Sequence, residues 1–264
     1  MRNIRLLIEY DGAAYHGWQI QKNGSSVQET LAKAITAITG ETVIPDGAGR
    51  TDAGVHALGQ VAAFRTEARI PAERFADALN AVLPRNIAVV SSAEADMSFH
   101  PRKHATGKHY RYLVLNRPQR GALLEGRAWH VPAPLRFDAM QASVQGLLGT
   151  HDFRAFCASG HSVKTYTRTM TRAEWSRDGD LLRFDIEGSG FLYNMVRILV
   201  GTMVEVGRGR RTAENVREVL ESQDRRRAGM TAPACGLCMM DVRYGRSVPE
   251  AWTPVCDEEG MEAE

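Results

Sequence analysis

Along this chain the spacing of apolar residues switches repeatedly between two and about 3.6, which limits the fold more than any single motif does. Ile4, Leu6, Ile8 and Tyr10 recur at every second position, one face of a strand that Asp11-Gly12 ends. Ser26-Val27-Gln28-Glu29 opens a helix with a capping box. Val27, Leu31, Ala34, Ile35 and Ile38 share its apolar face, and Gly40 closes it. Val61 to Phe64 reads as a short buried strand. Pro71 starts a second helix with Phe75, Leu79, Val82 and Leu83 inward, stopped by Pro84, and Ile87 to Val90 reads as a third strand. Strand, helix, strand, helix, strand is an α+β order and not a helical bundle.

The second half repeats the theme loosely. Lys108 to Leu115 alternates as a strand, with Tyr110, Tyr112 and Val114 on one face and His109, Arg111, Leu113 and Leu115 on the other. A helix is predicted from Phe137 to Leu148, and a long strand from Thr165 to Arg177. Asp178-Gly179 turns that strand back into Leu182, Phe184 and Ile186. A long helix from about Leu192 carries the stripe Leu192, Met195, Val196, Leu199, Val200, Met203 and Val204, with Arg197 at its edge. A short helix (Val216, Val219, Leu220) and a strand from Gly236 to Val242 complete the order. Each half offers strands with helices on one face, which suggests an internal duplication.

Several classes of function fall away. No apolar run reaches the ~20 residues that span a bilayer, and Met1-Arg2-Asn3-Ile4-Arg5 enters a charged strand rather than a signal peptide's apolar block, so a cytoplasmic protein without a membrane partner is expected. Cys235-Gly-Leu-Cys238 has zinc-ligand spacing but lacks the second pair of ligands that closes a site, and Cys157 and Cys256 stand apart from it. The net charge of +2 hides an asymmetry. The tail from Val248 to Glu264 holds six acids and no Lys or Arg, so residues 1–247 carry +8. A body that basic suits a polyanionic partner, and the acidic tail is expected to be flexible.

The chemistry points to one loop, Gly47-Ala48-Gly49-Arg50-Thr51-Asp52-Ala53-Gly54-Val55-His56, running on through Gln60. Three glycines in eight residues make a backbone that other groups can approach closely, and Asp52 sits on it ahead of a rigid strand. Asp52 reads either as a presented catalytic carboxylate or as a turn cap paired with Arg50. The loop lacks the Gly-Lys-Ser/Thr of a P-loop, and no paired carboxylates of glycosidase type stand out. Elsewhere too the residues allow two readings. Tyr15-His16-Gly17-Trp18-Gln19 could stack on bases, or Trp18 could anchor the core. The tyrosine strand from Lys108 could be a nucleic-acid surface, or its rings could fill the core. Arg208, Arg210, Arg211 and Arg225-Arg226-Arg227 could face a phosphate backbone or only water.

The loop Gly49 to His56 resembles the signature of the tRNA pseudouridine synthase A family. So do Glu9-Tyr10-Asp11-Gly12, Tyr15 to Gln19, Ser26-Val27-Gln28, Phe99-His100-Pro101-Arg102, Tyr110-Arg111-Tyr112, Phe191 to Arg197, and Ala232 to Leu237, in family order over residues 4 to 245. The resemblance implies that Asp52 is the catalytic nucleophile and that Tyr110 stacks on the target base and can serve as the base for the C5 proton. It further implies that Arg197 pairs with Asp52, and that Arg50, with Arg102, holds the RNA. It implies isomerisation of uridine at positions 38, 39 and 40 of the tRNA anticodon arm, by a homodimer without metal or cofactor. A catalytically silent RNA-binding module on the same scaffold, or a nucleoside hydrolase using the same aspartate, are the alternatives.

With the order of elements, the resemblance implies an α+β fold of two similar α/β-sandwich halves. They would share a mostly antiparallel central sheet, with helices packed on one face and the catalytic cleft between the halves. The expected division is 1–105 with the Asp52 loop, 106–247 with Tyr110 and Arg197, and the tail 248–264.

Overall fold

The alternating N-terminal stretch forms strand β1 (Arg2–Tyr10), with Ile4, Leu6 and Ile8 fully buried. The computed structural model describes residues 1–160 and 163–245, so the acidic tail and Cys256 lie outside the described residues. Helix α1 (Val27–Thr39) starts as the capping box predicts, the Ser26 hydroxyl accepting from the Glu29 amide at 3.2 Å. It ends at Gly40 in the left-handed region, φ 74°. Next come β2 (Asp46–Gly47), β3 (His56–Thr66), α2 (Phe75–Asn80) and β4 (Ile87–Ala95). Beyond them lie β5 (Ala105–Leu115), β6 (Trp129–His130), α3 (Phe137–Ser143) and β7 (Gly149–Asp152). The chain continues through β8 (Thr167–Asp178), β9 (Leu181–Gly188), α4 (Met195–Gly207), α5 (Asn215–Ser222) and β10 (Leu237–Tyr244).

All ten strands join one sheet in the order β4-β1-β3-β10-β5-β9-β8-β7, with β2 on β3 and β6 on β5. The fold is α+β and the sheet mostly antiparallel, as expected. Its parallel pairings are β10 on β3, where Cys238 faces His56, and β5 on β6. The central strand is therefore the last of the described strands in sequence, and it joins the strands of the first hundred residues to the rest. Tyr112 on β5 is wholly buried and donates its hydroxyl to Pro233 O at 2.7 Å. On the opposite face of β5, His109 and Arg111 both bond Asp185 of β9, at 2.6 and 3.0 Å.

Several boundaries differ from the sequence reading, each for a local reason. β3 starts five residues before Val61, because Ala57 and Gln60 pair with β1 although neither looks like a strand former. The helix predicted to Leu148 stops at Ser143; a tight turn over Gln145–Leu147 buries Leu147, and Leu148 is exposed. α4 starts at Met195 rather than Leu192, because Asn194 adopts a left-handed conformation, φ 58°, that no helix continues through. β7, four polar residues at the sheet edge, has no apolar pattern to betray it. Trp18 is a core anchor and not a stacking platform, with 2% of its surface exposed and its ring 6.2 Å from that of Tyr10.

Candidate active site

The Asp52 loop is held by a second loop before it touches any substrate. Trp18 N donates to Thr51 O at 3.1 Å, and Gly54 N donates to Tyr15 O at 3.2 Å. This approach requires glycine at 17: its φ is 90°, and a Cβ there would stand 2.5 Å from Thr51 O. Val55 N closes a turn onto Asp52 O at 3.1 Å, with Gly54 supplying the positive φ of 78°. Below the loop, the Tyr10 hydroxyl meets the Thr51 hydroxyl at 2.7 Å, and Gln60 Nε2 donates to Gly49 O at 2.9 Å. Gly12 N stands 3.1 Å from His56 Nδ1, and His56 Nε2 stands 2.9 Å from Gly126 O. Asp52 thus hangs from a backbone that is bonded on three sides.

Arg197, one turn into α4, reaches this carboxylate from the far side of the sequence. Its Nη1 donates to Asp52 Oδ2 at 3.5 Å and to Asn194 Oδ1 at 2.8 Å, while Nε donates to Ala232 O at 2.8 Å. The side chains of Arg197 and Asp52 are 17% and 22% exposed, so the pair is half-buried with one side open to a ligand. Burial pushes the Asp52 carboxyl above its ordinary range, and Arg197 opposes that shift without cancelling it. A long single contact explains the outcome, since only a short, two-pronged pairing holds a carboxylate firmly ionised.

Tyr110 lines the same place from β5. It is 7% exposed, and the Phe191 ring meets it edge-on at 5.0 Å and 80°. Burial raises its hydroxyl well above the usual tyrosine value, with Tyr10 and Asp52 adding to the shift, so the phenol stays protonated at neutral pH. Of the two readings of this strand, the core-filling one holds for Tyr112, whereas Tyr110, also buried, lies close enough to Asp52 for its charge to act on the hydroxyl.

Arg50 does not pair with Asp52. It is exposed and donates from Nε to Gln19 Oε1 at 3.1 Å, which frees Asp52 for Arg197. Arg102 is exposed and lies close enough to Lys108 to act on its charge. Much of the remaining arginine patch is engaged within the fold. Arg211 pairs with Glu205 at 2.6 Å, Arg226 with Asp224 at 2.8 Å, and Arg225 donates to Gly229 O at 3.1 Å. The Cys235 and Cys238 thiols turn to the carbonyls of Ala128 and Met239. Among the described residues no group of three or more His, Cys, Asp or Glu could hold a metal ion, and no helix is long and apolar enough to cross a membrane.

The sequence reading overlooked Phe191, Asn194 and Lys108 as site residues. Phe191 and Asn194 lie in the block that carries Arg197, and Lys108 stands two residues before Tyr110, so alternation alone puts it on the Tyr110 face. A separate concavity of about 530 Å³, lined by Arg111, Arg127, Arg183 and Met240 among others, opens on the other face of β5 and contains neither Asp52 nor Tyr110.

The family described as tRNA pseudouridine synthase matches residues 6–102 and 144–245. The tRNA pseudouridine synthase A of Acetivibrio thermocellus is 52% identical over 244 residues, 92% of this chain and 100% of that protein. The proteins of the same name from Thermoanaerobacter sp. (strain X514) and Pelobacter propionicus are 47% and 48% identical over the same shares of each chain. With identity at that level over nearly the whole length, the chain belongs to the tRNA pseudouridine synthase A family, the isomerases that form pseudouridine in tRNA.

Proposed function

We propose that this protein isomerises uridine to pseudouridine at positions 38, 39 and 40 of the tRNA anticodon stem-loop, with Asp52 as the nucleophile on a flipped-out uridine. The observation that carries the reading is the meeting of Asp52, Arg197 and Tyr110, from three distant parts of the chain, in one half-open site. Flipping costs a few kcal/mol of lost stacking. Tyr110 offsets part of that by stacking on the base, and Arg50, exposed at the loop, fills the vacated space or binds phosphate. The Asp52 carboxylate adds to the nucleoside, and the bond from C1′ to N1 breaks. The base turns, C1′ bonds to C5, Asp52 departs, and the C5 proton is lost while N1 gains one. No oxidation state changes. A Tyr110 phenol that stays protonated is better suited to stacking than to taking the C5 proton at neutral pH.

Arg197 holds the carboxylate in place while leaving it basic enough to attack, a compromise suited to a nucleophile. The resemblance also implies a homodimer whose two subunits share a tRNA, which sedimentation with and without tRNA tests. The reaction itself is tested with tRNA tritiated at C5 of uridine. Release of tritium to water, followed by mapping of the modified positions to 38–40, is expected. Full retention of tritium by tRNA that the protein binds would leave only a silent RNA-binding module, and free uracil would indicate a hydrolase.

A further inference from the structure

Lys108 is a half-buried cation beside the Asp52 loop that the mechanism does not use. It stands two residues before Tyr110 on the same face of β5, about 7 Å along the strand. Its ammonium occupies space left by Gly49, three residues before Asp52: a Cβ on Gly49 would stand 2.9 Å from Nζ. Among the described residues Nζ makes no hydrogen bond and no ion pair. Its charged neighbours are Arg102 and Arg168, both of its own sign, and with burial they push the lysine down to about 8. Arg168 is itself half-buried against Gly190 and spends hydrogen bonds on the carbonyls of Thr165 and Thr167, with no acid paired to it among the described residues.

Three cations converging without an anion destabilise a fold, because each loses hydration and repels the others. Such a cluster makes sense where a ligand brings the missing negative charge. The ligand must reach both Lys108 and the face of Tyr110, about the span from a nucleobase to its own backbone phosphate. A nucleotide turned out of its stack carries its phosphates round with it, and a lysine meets them as a compact point charge.

We propose that Lys108, with Arg102 and Arg168, forms a subsite for a backbone phosphate flanking the flipped uridine. The subsite rests on the uridine-flipping reading for its location, while its anion chemistry can be tested without catalysis. Lys108→Met keeps most of the side-chain volume and removes the charge. Expected are a thermal midpoint equal to or above that of the wild type, tRNA affinity about tenfold weaker at moderate salt, and a log Kd against log salt slope lower by about 0.7–0.9. Lys108→Arg should restore the slope. An unchanged slope overturns the proposal, whatever the thermal midpoint does.

The second arm uses anticodon stem-loops carrying one neutral methylphosphonate at either linkage flanking the target uridine. At one of the two linkages the wild type should lose about tenfold in affinity while Lys108→Met loses nothing more, the signature of a coupled pair. Equal losses in both proteins at both linkages overturn the proposal. Failure of the isomerase reading would show instead as missing tritium release from the wild type, a readout on which neither arm depends.

Discussion

Asp52 Oδ2 and Arg197 Nη1 stand 3.5 Å apart across 145 residues of sequence, and Asp52 still lies above the usual carboxylate range. The other bonds of Arg197, to Ala232 O and Asn194 Oδ1, explain this. They hold the guanidinium for the fold, and the nitrogen that meets the carboxylate, Nη1, is shared with Asn194. The site therefore holds an anion in position without fully satisfying it, the state a nucleophile needs.

The pH dependence of the chemical step should reveal that imbalance. On the proposed mechanism the carboxylate is the reactive form, so the single-turnover rate of tritium release should fall about tenfold per pH unit below the Asp52 pKa. That acid limb should lie above the ordinary 3.8 of an aspartate. Rates measured between pH 4 and 7 on prebound tRNA check it, and a flat profile across that range would contradict the burial argument.

Asp52→Asn should abolish tritium release and leave tRNA affinity nearly unchanged. It should also raise stability at neutral pH. The folded-state pKa of Asp52 is raised, so on raising the pH the unfolded chain ionises first, and stability is lost through the window from 3.8 up to the folded value. Asparagine removes that cost. A rise in Tm on the order of 2 °C is expected at pH 7, vanishing below about pH 4. Calorimetry at both pH values tests the sign.

Arg197→Ala removes three hydrogen bonds from a half-buried junction, so it should damage folding as well as catalysis. A loss of about 2 kcal/mol in urea unfolding is expected, below the cost of breaking a fully buried pair because both side chains retain some exposure. Activity should fall by at least about 100-fold. Arg197→Lys should not restore it, since lysine cannot span Ala232, Asn194 and Asp52 together. A variant of normal stability without activity would show that the junction is catalytic only.

Tyr10→Phe tests the support beneath the loop. It deletes the hydroxyl that meets Thr51 and leaves the threonine without its partner in a buried place, a cost of about 1–2 kcal/mol. A small displacement of Asp52 should lower the single-turnover rate about tenfold or more with tRNA affinity unchanged. An equal change in affinity and none in rate would place the role of Tyr10 in binding.

What could be read from the sequence was local. The capping box at Ser26, the Gly40 stop and the Asp178-Gly179 hairpin all concern residues that bond to near neighbours. The candidate site was legible through motifs, because Asp52, Tyr110 and Arg197 are separated by strands whose pairing no periodicity reveals. Trp18 was ambiguous for a related reason: its burial depends on Tyr10 and Gly47, which reach it only once the sheet has formed. Lys108 escaped notice because a lysine in a basic strand resembles its solvated neighbours until the lack of an acid around it is seen.

The placement of β10 has a consequence for biosynthesis. Among the described residues β3 and β5 share no ladder, and the hydrogen-bonded link between them runs through residues 237–244. During translation the first hundred residues can pair β1, β3 and β4 early, and β5, β8 and β9 can follow. The nascent chain nevertheless carries two open sheet edges until β10 leaves the ribosome and slots between them. Asp52 and Tyr110 flank that gap, so the candidate site cannot assemble before synthesis has passed residue 244.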